Sequence, residues 1–410
     1  MDDLMQTDEC PLVWSVDNRM RLTRRRAAGE ISTRSQPSVR LGLASGRQLD
    51  MIPSQQLCRI DGWVSLAQLR IGARIAVLRR IGEPVQTVRM HDSEVILLAH
   101  MIGDGSCVKR QPIRYASIDE ANLTAVTMAA THFGVTAIRD EYAAARVTTL
   151  RLPAPYRLTH GRRNPIAEWL DGLGLFGLRS HEKFVPAAVF GLPNEQVALF
   201  LRHLWATDGS VRWDAKTAQG RVYYASTSRR LVEDVMHLLL RMGVQGRITR
   251  TGKVGYRDCW FLSIDRASNQ IAFLTKVGVH GERGLKAQEV VAALAGRTRR
   301  PGTDTIPVEV WEHVNAILVK RGWSDKDFAT ATKTRYDGPR MWTHAPGRTR
   351  LHRLSVILAD SALHDLATSD VYWDRVVDIN NLGRHDVCEL LASETYPLVT
   401  QGALVRWSTV

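Results

Sequence analysis

Two apolar helical stretches that each run into Asp-Gly-Ser constrain this chain more than any other feature. The first is EVILLAHMIGDGSC, residues 94–107, and the second is ALFLRHLWATDGSVRW, residues 198–213. In both, apolar residues recur at helical spacing and the pattern stops at the Asp-Gly pair. If the two helices pack side by side and end at the same level, Asp104 and Asp208 lie close together.

Small residues on the first helix favour this pairing. Ala99 and Gly103 stand four positions apart on one helix face, which lets a second helix approach closely. His203 and Thr207 occupy the matching positions of the second helix. His203 is bulkier than a close helix interface favours, so the fit at that position is the open question.

A longer internal repeat surrounds the two helices. Tyr115-Ala116-Ser117 begins a stretch that ends in Phe133-Gly134-Val135, and Tyr224-Ala225-Ser226 begins one that ends in Met242-Gly243-Val244, at the same offset. Each stretch predicts the end of a strand, then a helix, then a glycine stop. The sequence therefore indicates two copies of one unit.

Two neighbouring carboxylates repel each other unless a cation lies between them. Mg²⁺ suits such a pair, because it binds one or two carboxylates together with waters and phosphate oxygens. A metal so placed can activate water and stabilise the leaving oxygen in phosphodiester hydrolysis. A lone aspartate at a helix end is usually a cap, and it is the repeat that favours the metal.

The charge of the chain indicates the partner. The 410 residues carry a formal charge of +13, with Lys and Arg far exceeding Asp and Glu. Such an excess favours nucleic acid, although a merely basic surface is the alternative. The five cysteines are scattered without a Cys-x-x-Cys pair, which argues against a disulfide framework or structural zinc. No apolar run is long enough to span a bilayer, so we expect a cytoplasmic protein without a membrane partner.

Several segments resemble known families. Leu97–Gly105 and Leu201–Gly209 resemble the two LAGLIDADG motifs of dodecapeptide homing endonucleases. HEKFVP, residues 181–186, resembles the lysine-containing block between those motifs, and residues 226–248 resemble the block after the second one. PLVWSVD near the start and DVYWDRVVDI near the end resemble the splicing-domain halves of mycobacterial-type inteins in the replicative helicase DnaB.

The resemblance implies an α+β fold with two αββαββα LAGLIDADG repeats, flanked by halves of an all-β Hint-like splicing domain. It implies a monomer that cuts both strands of a long double-stranded DNA site, with a β-sheet of each repeat in the major groove. Asp104, Asp208 and Lys183 are then the catalytic residues. Mg²⁺ or Mn²⁺ is bound by Asp104 and Asp208 with Gly103 and Thr207. A second lysine is sought in Lys253 or Lys286. The arginines expected to bind DNA are Arg212, Arg221, Arg247, Arg335, Arg348 and Arg350.

The expected domains follow from this reading. Residues 1–93 are a truncated N-terminal Hint half, residues 94–295 the tandem endonuclease, and residues 366–410 the C-terminal Hint half. Between them, residues 296–365 form a basic linker. It contains a candidate helix-turn-helix, with a helix ending at Gly322 and another capped by Ser324. A solvated two-helix connector is the alternative for this segment.

The residues of intein splicing are expected to be lost. Met1 stands in place of the first nucleophile, and Cys10 lies at the wrong position for it. Gln55 replaces the histidine of the Thr-x-x-His block, and Arg406-Trp407 replaces the terminal His-Asn. We therefore expect an endonuclease that no longer splices. The alternatives are a non-catalytic DNA-binding regulator on a decayed endonuclease scaffold, and residual self-cleavage at one splice junction.

Overall fold

The structure is a computed structural model that describes residues 12–26, 31–140, 146–159, 161–295, 304–390, 397–400 and 402–406. The chain divides into two compact units. We call residues 80–298 the central unit, and residues 1–79 together with 299–410 the flanking unit. The helices after residue 303 thus belong to the same unit as both chain ends. Within the described residues no helix is both long and apolar enough to cross a bilayer.

The elements follow in chain order. Before the central unit come β1 (Leu12–Val16), β2 (Leu22–Arg26), β3 (Ile31–Leu43), β4 (Gln48–Met51), β5 (Gln56–Arg59), β6 (Gly62–Ser65) and β7 (Arg74–Leu78). The central unit contains α1 (Asp92–Gly103), β8 (Gly105–Ser106), β9 (Arg114–Ser117), α2 (Glu120–Thr131), β10 (Ile138–Asp140), β11 (Thr148–Arg151), α3 (Pro165–Gly172), α4 (Ala187–Phe190), α5 (Asn194–Asp208), β12 (Gly209–Asp214), β13 (Gln219–Ser226), α6 (Arg229–Arg241), β14 (Arg247–Thr251), β15 (Cys259–Ser263), α7 (Ala267–Lys276) and α8 (Glu282–Ala295). The flanking unit resumes with α9 (Val310–Arg321), α10 (Asp325–Ala331), α11 (Arg348–Ile357), α12 (Ser361–Thr368), β16 (Val371–Leu390), β17 (Leu398–Thr400) and β18 (Ala403–Arg406).

The flanking unit is built on an antiparallel sheet in the order β2-β1-β17-β18-β7-β16-β3-β4, with β5 paired to β18 and β6. Strands from both ends of the chain alternate in it, because β16 lies between β7 and β3. Its core includes Leu41, Leu57, Ile75 and Val376. The described strands of this unit lie before residue 80 or after Asp370.

The helices of the flanking unit match the prediction in one part and differ in another. Gly322 ends α9 in the left-handed conformation at φ 66°, and Ser324 caps α10 reciprocally with Asp327, as predicted. The rest of the expected basic linker is not extended chain, because it forms two further helices, α11 and α12. They are separated at Ala359, which adopts φ 44°, and the Asp360 side chain caps the second at the Leu363 amide.

The central unit contains two halves with the same order of elements. We call residues 92–172 the first half and residues 194–276 the second half; each runs α-β-β-α-β-β-α. The first half carries the antiparallel sheet β10-β11-β9-β8, and the second carries β12-β13-β15-β14. The Tyr-Ala-Ser tripeptides end β9 and β13, and α2 and α6 follow them, as predicted. Helices α1 and α5 pack against each other and supply much of one continuous core.

Candidate active site at the paired helix ends

Helices α1 and α5 approach most closely where each is about to end. A Cβ at Gly103 would overlap the side chain of Thr207, so only glycine permits this contact. Asp104 is the C-cap of α1, and Asp208 is the last residue of α5. The glycines after them are required as well, because a Cβ at Gly105 or Gly209 would overlap the preceding helical turn.

The bulk of His203 is accommodated by other histidines. Its Nδ1 lies 3.0 Å from Nε2 of His100, and Nδ1 of His100 lies 3.0 Å from the hydroxyl of Tyr115. The ring of His280 packs on His203 with the centroids 4.3 Å apart. Burial lowers the pKa of His100 to about 3 and that of His203 to about 2. Both rings are therefore neutral at neutral pH, and the helices pack closely despite the side-chain volume.

The two aspartates act on each other electrostatically. Both residues are exposed overall, although the helix ends withdraw part of each carboxylate from water. This partial burial raises the pKa of Asp104, while Arg283 and Lys183 oppose the rise. For Asp208 burial is the larger cause, and the charge of Asp104 adds to it, which brings the pKa to about 6. The structure thus places the two carboxylates at one site.

Lys183 lies beneath this site rather than in front of it. Its side chain is buried, and Nζ donates to the carbonyl oxygens of Met101 at 2.9 Å, Ile102 at 2.9 Å, Gly103 at 3.3 Å and Gly105 at 2.8 Å. These bonds satisfy carbonyls at the end of α1 that have no partner within the helix. The ammonium group has three N–H donors for these four carbonyls, so one donor is shared between two of them. Lys183 therefore braces the backbone on either side of Asp104 and contributes positive charge.

Arg283 is the functional cation that sequence reasoning missed. Its guanidinium donates to the carbonyl of Ala206, close to the end of α5, and its charge opposes the rise in the pKa of both aspartates. Lys253 instead lies over the ring of Tyr256 on the β14–β15 loop, and Lys286 is exposed on α8. A signal was present in the sequence, since His280-Gly-Glu-Arg283 parallels His181-Glu-Lys183.

The site suits a hard divalent ion held by few protein groups. Among the residues that the structure describes, no three or more His, Cys, Asp or Glu side chains form a metal-binding group. Asp104 and Asp208 would therefore hold the ion with water and backbone oxygens, a donor set that Mg²⁺ accepts. The Thr207 hydroxyl donates to the Leu204 carbonyl at 2.6 Å, and the backbone carbonyl of Thr207 is a further oxygen at the end of α5. The Gly103 carbonyl is shared with Lys183.

Three of the expected DNA-binding arginines lie on one sheet face. Arg212 and Arg221 are exposed neighbours on β12 and β13, and their strand neighbours Val211 and Val222 are buried on the opposite face. Arg247 on β14 pairs in register with Ser263, which is itself paired with Tyr223, so Arg247 shares the outer face. Arg221 and Arg247 also form exposed ion pairs with Asp214 and Asp265.

The three arginines of the flanking unit differ from one another. Arg335 is exposed in the loop after α10. Arg350 is half-buried and lies over the ring of Trp311 at 5.1 Å. The structure corrects the prediction made for Arg348. Its Nε pairs with Asp304 at 2.9 Å, and its terminal nitrogens donate to the carbonyls of Ala367 and Val371. Its guanidinium is committed to internal contacts, so a DNA-binding role is wrong for it.

The candidate helix-turn-helix has a second helix that is poorly suited to contact DNA. In such motifs the first residues of the second helix contact the bases. Here that helix, α10, has seven residues and begins with Asp325 and Asp327. Two carboxylates in its first turn would face the phosphates, so α10 is unsuited to the groove. The structure favours the connector interpretation for α9 and α10.

Comparison with known proteins agrees with the location of the site. Residues 195–278, which include α5 and Asp208, match the family described as LAGLIDADG-like domain. The chain is 31% identical over 406 residues to the replicative DNA helicase DnaB of Synechocystis, covering 96% of this chain and 46% of that protein. It is 35% identical over 385 residues to DnaB of Rhodothermus marinus, covering 92% and 41%. The chain thus spans less than half the length of these relatives.

Solved structures are similar to smaller shares of the chain. The homing endonuclease I-DmoI in complex with DNA and Mn is 16% identical, covers 46% of this chain and 96% of its own, and has a TM-score of 0.32. The Ssp DnaB mini-intein variant M86 is 21% identical, covers 20% and 50%, and has a TM-score of 0.18. By the family model and the helicase relatives, residues 195–278 match a LAGLIDADG-like domain, inside a sequence related to part of the DnaB proteins.

Proposed function

We propose that the central unit is a site-specific homing endonuclease that makes metal-dependent double-strand breaks in DNA. The observation that carries this proposal is the aspartate pair. Asp104 and Asp208 end two closely packed helices, and the charge of Asp104 raises the pKa of Asp208, an effect that a bound cation would oppose. Asp208 also lies in the LAGLIDADG-like domain. A structural cap would require neither the shared site nor the two cations beside it.

The chain's own residues would divide the work as follows. Asp104 and Asp208 would hold a divalent ion, which would supply water activation and charge neutralisation at the leaving oxygen. Lys183 and Arg283 fix the backbone at the ends of α1 and α5 and add positive charge for the scissile phosphates. The outer face with Arg212, Arg221 and Arg247 contacts the DNA. Both aspartates lie in one chain, so the enzyme acts as a monomer, on DNA in the cytoplasm.

Plasmid cleavage tests this function. The substrate is a plasmid that carries an uninterrupted DnaB gene, with Mg²⁺, Mn²⁺ or EDTA. We expect linear product with either metal and none with EDTA, whereas Asp104→Asn and Asp208→Asn abolish cutting but retain DNA binding. The matched control is Asp171→Asn, which should cut normally. Asp171 is an exposed carboxylate on α3 that pairs with Arg163. Cutting by both site variants contradicts the assignment, and tight binding without any nicking favours the regulator.

We also propose that the flanking unit no longer splices. Gln55, in place of the catalytic histidine, is buried and accepts a hydrogen bond from the Ile52 amide at 3.0 Å. Arg406 lies over the ring of Trp63 at 4.7 Å. The side chains of Gln55 and Arg406 thus make structural contacts. Cys10 and Trp407 lie outside the described residues. We expect one unchanged intact mass after long incubation with thiol, and a cleaved product would reveal residual junction chemistry.

A further inference from the structure

The N-caps of α2 and α6 hold equivalent places in the two halves, and each makes a second contact beyond its own helix. Asp119 caps α2 two residues after Ser117, and Ser228 caps α6 two residues after Ser226. Each of these side chains also bonds the backbone of a segment that carries one of the two active-site cations. We call these the Lys183 segment, residues 181–186, and the Arg283 segment, residues 280–283.

The cap of α6 holds the Lys183 segment. Ser228 Oγ donates to the carbonyl of Lys183 at 2.6 Å while accepting the cap bond from the Leu231 amide at 3.2 Å. Asp234, nearly two turns further along α6, accepts a hydrogen bond from the Val185 amide at 3.0 Å. The lysine that these bonds position ends at the carbonyls of α1. A helix of the second half thus holds the cation that braces the first.

The cap of α2, a helix of the first half, holds the Arg283 segment. One carboxylate oxygen of Asp119 caps Ala121 at 3.0 Å, and the other accepts the amide of Glu282 at 2.9 Å. Nε2 of His280 lies 3.1 Å from the carbonyl of Ala121. Gly281 adopts φ 71°, and a Cβ there would overlap the Asp119 carboxylate. A helix of the first half thus holds the cation at the end of α5.

We propose that Asp119 and Ser228 are positioning residues that act through the opposite half's cation, so that each cap governs the cutting of one DNA strand. The inference rests on the proposed nuclease function and deepens it. The two cations brace different helix ends, Lys183 that of α1 and Arg283 that of α5. Displacing one of them therefore slows one strand more than the other, whereas a general loss of stability slows both strands equally.

Asp119→Asn is chosen to break the second contact and keep the cap, whereas Ser228→Ala loses both bonds and is compared with a capping control. Asp119→Asn retains a good N-cap, because Asn caps helices as well as Asp, but it turns an amide NH₂ group toward the Glu282 amide. Ser228→Ala removes the bond to Lys183, and Ser228→Thr retains a hydroxyl there. Asn164→Ala is the control for lost capping, since Asn164 caps α3 and contacts neither segment.

The experiment follows each strand of an end-labelled target duplex under single-turnover conditions, with Mg²⁺. Changes in groups that support active-site ligands typically cost 10–100-fold. We expect Asp119→Asn to slow one strand by about 10-fold or more and to accumulate nicked DNA. Ser228→Ala should slow the other strand, and Ser228→Thr should restore balanced cutting.

Asn164→Ala should leave the ratio of the two strand rates unchanged. The positioning role alone is overturned if the wild-type protein cuts both strands but the two variants fail to separate them. That outcome means that Asp119→Asn and Ser228→Ala slow both strands equally, or that both variants slow the same strand more. A folded wild-type protein that cuts neither strand removes the proposed function and this inference together.

Discussion

At the scale of single residues, the ionised Asp208 carboxylate opposes folding when no metal is present. Its pKa is about 6, above the usual value near 3.8. The native state thus binds the proton more tightly than the unfolded state, and stability falls as the pH rises from about 4 through 6. Asp208→Asn in EDTA should therefore raise the melting temperature at pH 8, by about 2 °C for each ~1 kcal/mol relieved, and should have little effect at pH 4.

Asp214 provides the opposite control. Hydrogen bonds from Thr217 and the charge of Arg221 lower the pKa of this exposed carboxylate, so Asp214→Asn should not raise the melting temperature at pH 8. Adding Mg²⁺ at pH 8 should stabilise the wild type and leave Asp208→Asn unchanged, as scanning calorimetry would show. A melting temperature of Asp208→Asn that equals or falls below the wild-type value at pH 8 without metal contradicts this account.

Residue types alone predicted part of the site. Asp104 and Asp208 were identifiable because a repeated motif gives the same position twice. Arg283 was not, because a second lysine was expected at this site, whereas a guanidinium can also brace helix carbonyls. Arg348 failed as a DNA contact for a related reason. A cationic stretch in sequence does not show which of its members turns inward, and that depends on carbonyls brought together by α12 and β16.

At the scale of elements, the contact between α1 and α5 depends on the missing side chain of Gly103. A methyl group there would overlap Thr207 and force the helix ends apart. Gly103→Ala should cost about 1–3 kcal/mol, the usual range for overpacking, and should lower the divalent-ion affinity of the central unit. Chemical denaturation and titration calorimetry would measure the two effects.

The control is Gly172→Ala at the end of α3, where a Cβ has no neighbour within 4 Å. This change should be neutral or stabilise the protein by up to ~1 kcal/mol. Thr207→Gly combined with Gly103→Ala should recover part of the loss. Equal stability of the Gly103→Ala and wild-type proteins would show that the helices do not meet at this position.

Local sequence signals predicted where helices and strands begin and end, but they did not predict which side chains surround them. Gly322, Ser324 and the Tyr-Ala-Ser strand ends act within one or two turns of chain, and the structure matches them. The histidine contacts that admit His203 involve α1, α5 and the segment before α8, which are far apart in sequence. The break between α11 and α12 depends on a left-handed Ala359, a conformation that residue type does not announce.

At the scale of the whole molecule, the +13 charge matters only where cations can meet phosphates. Each phosphate contact contributes about 0.9 to the slope of log affinity against log salt. Arg212 lies on the exposed sheet face, so Arg212→Gln should reduce that slope by about 1. Arg348→Met removes the same formal charge from an internal site, so it should lower thermal stability and leave the slope unchanged.

Fluorescence anisotropy with the target duplex, across a salt series and below the melting temperature of both variants, separates these outcomes. Two equal reductions in slope would mean that affinity follows net charge alone, and the sheet face would lose its assignment. A reduced slope for Arg212→Gln only would place a phosphate contact on β12. The same series with Arg350→Gln would decide whether the flanking unit adds to binding, because Arg350 is half-buried against Trp311 and has a polar end available.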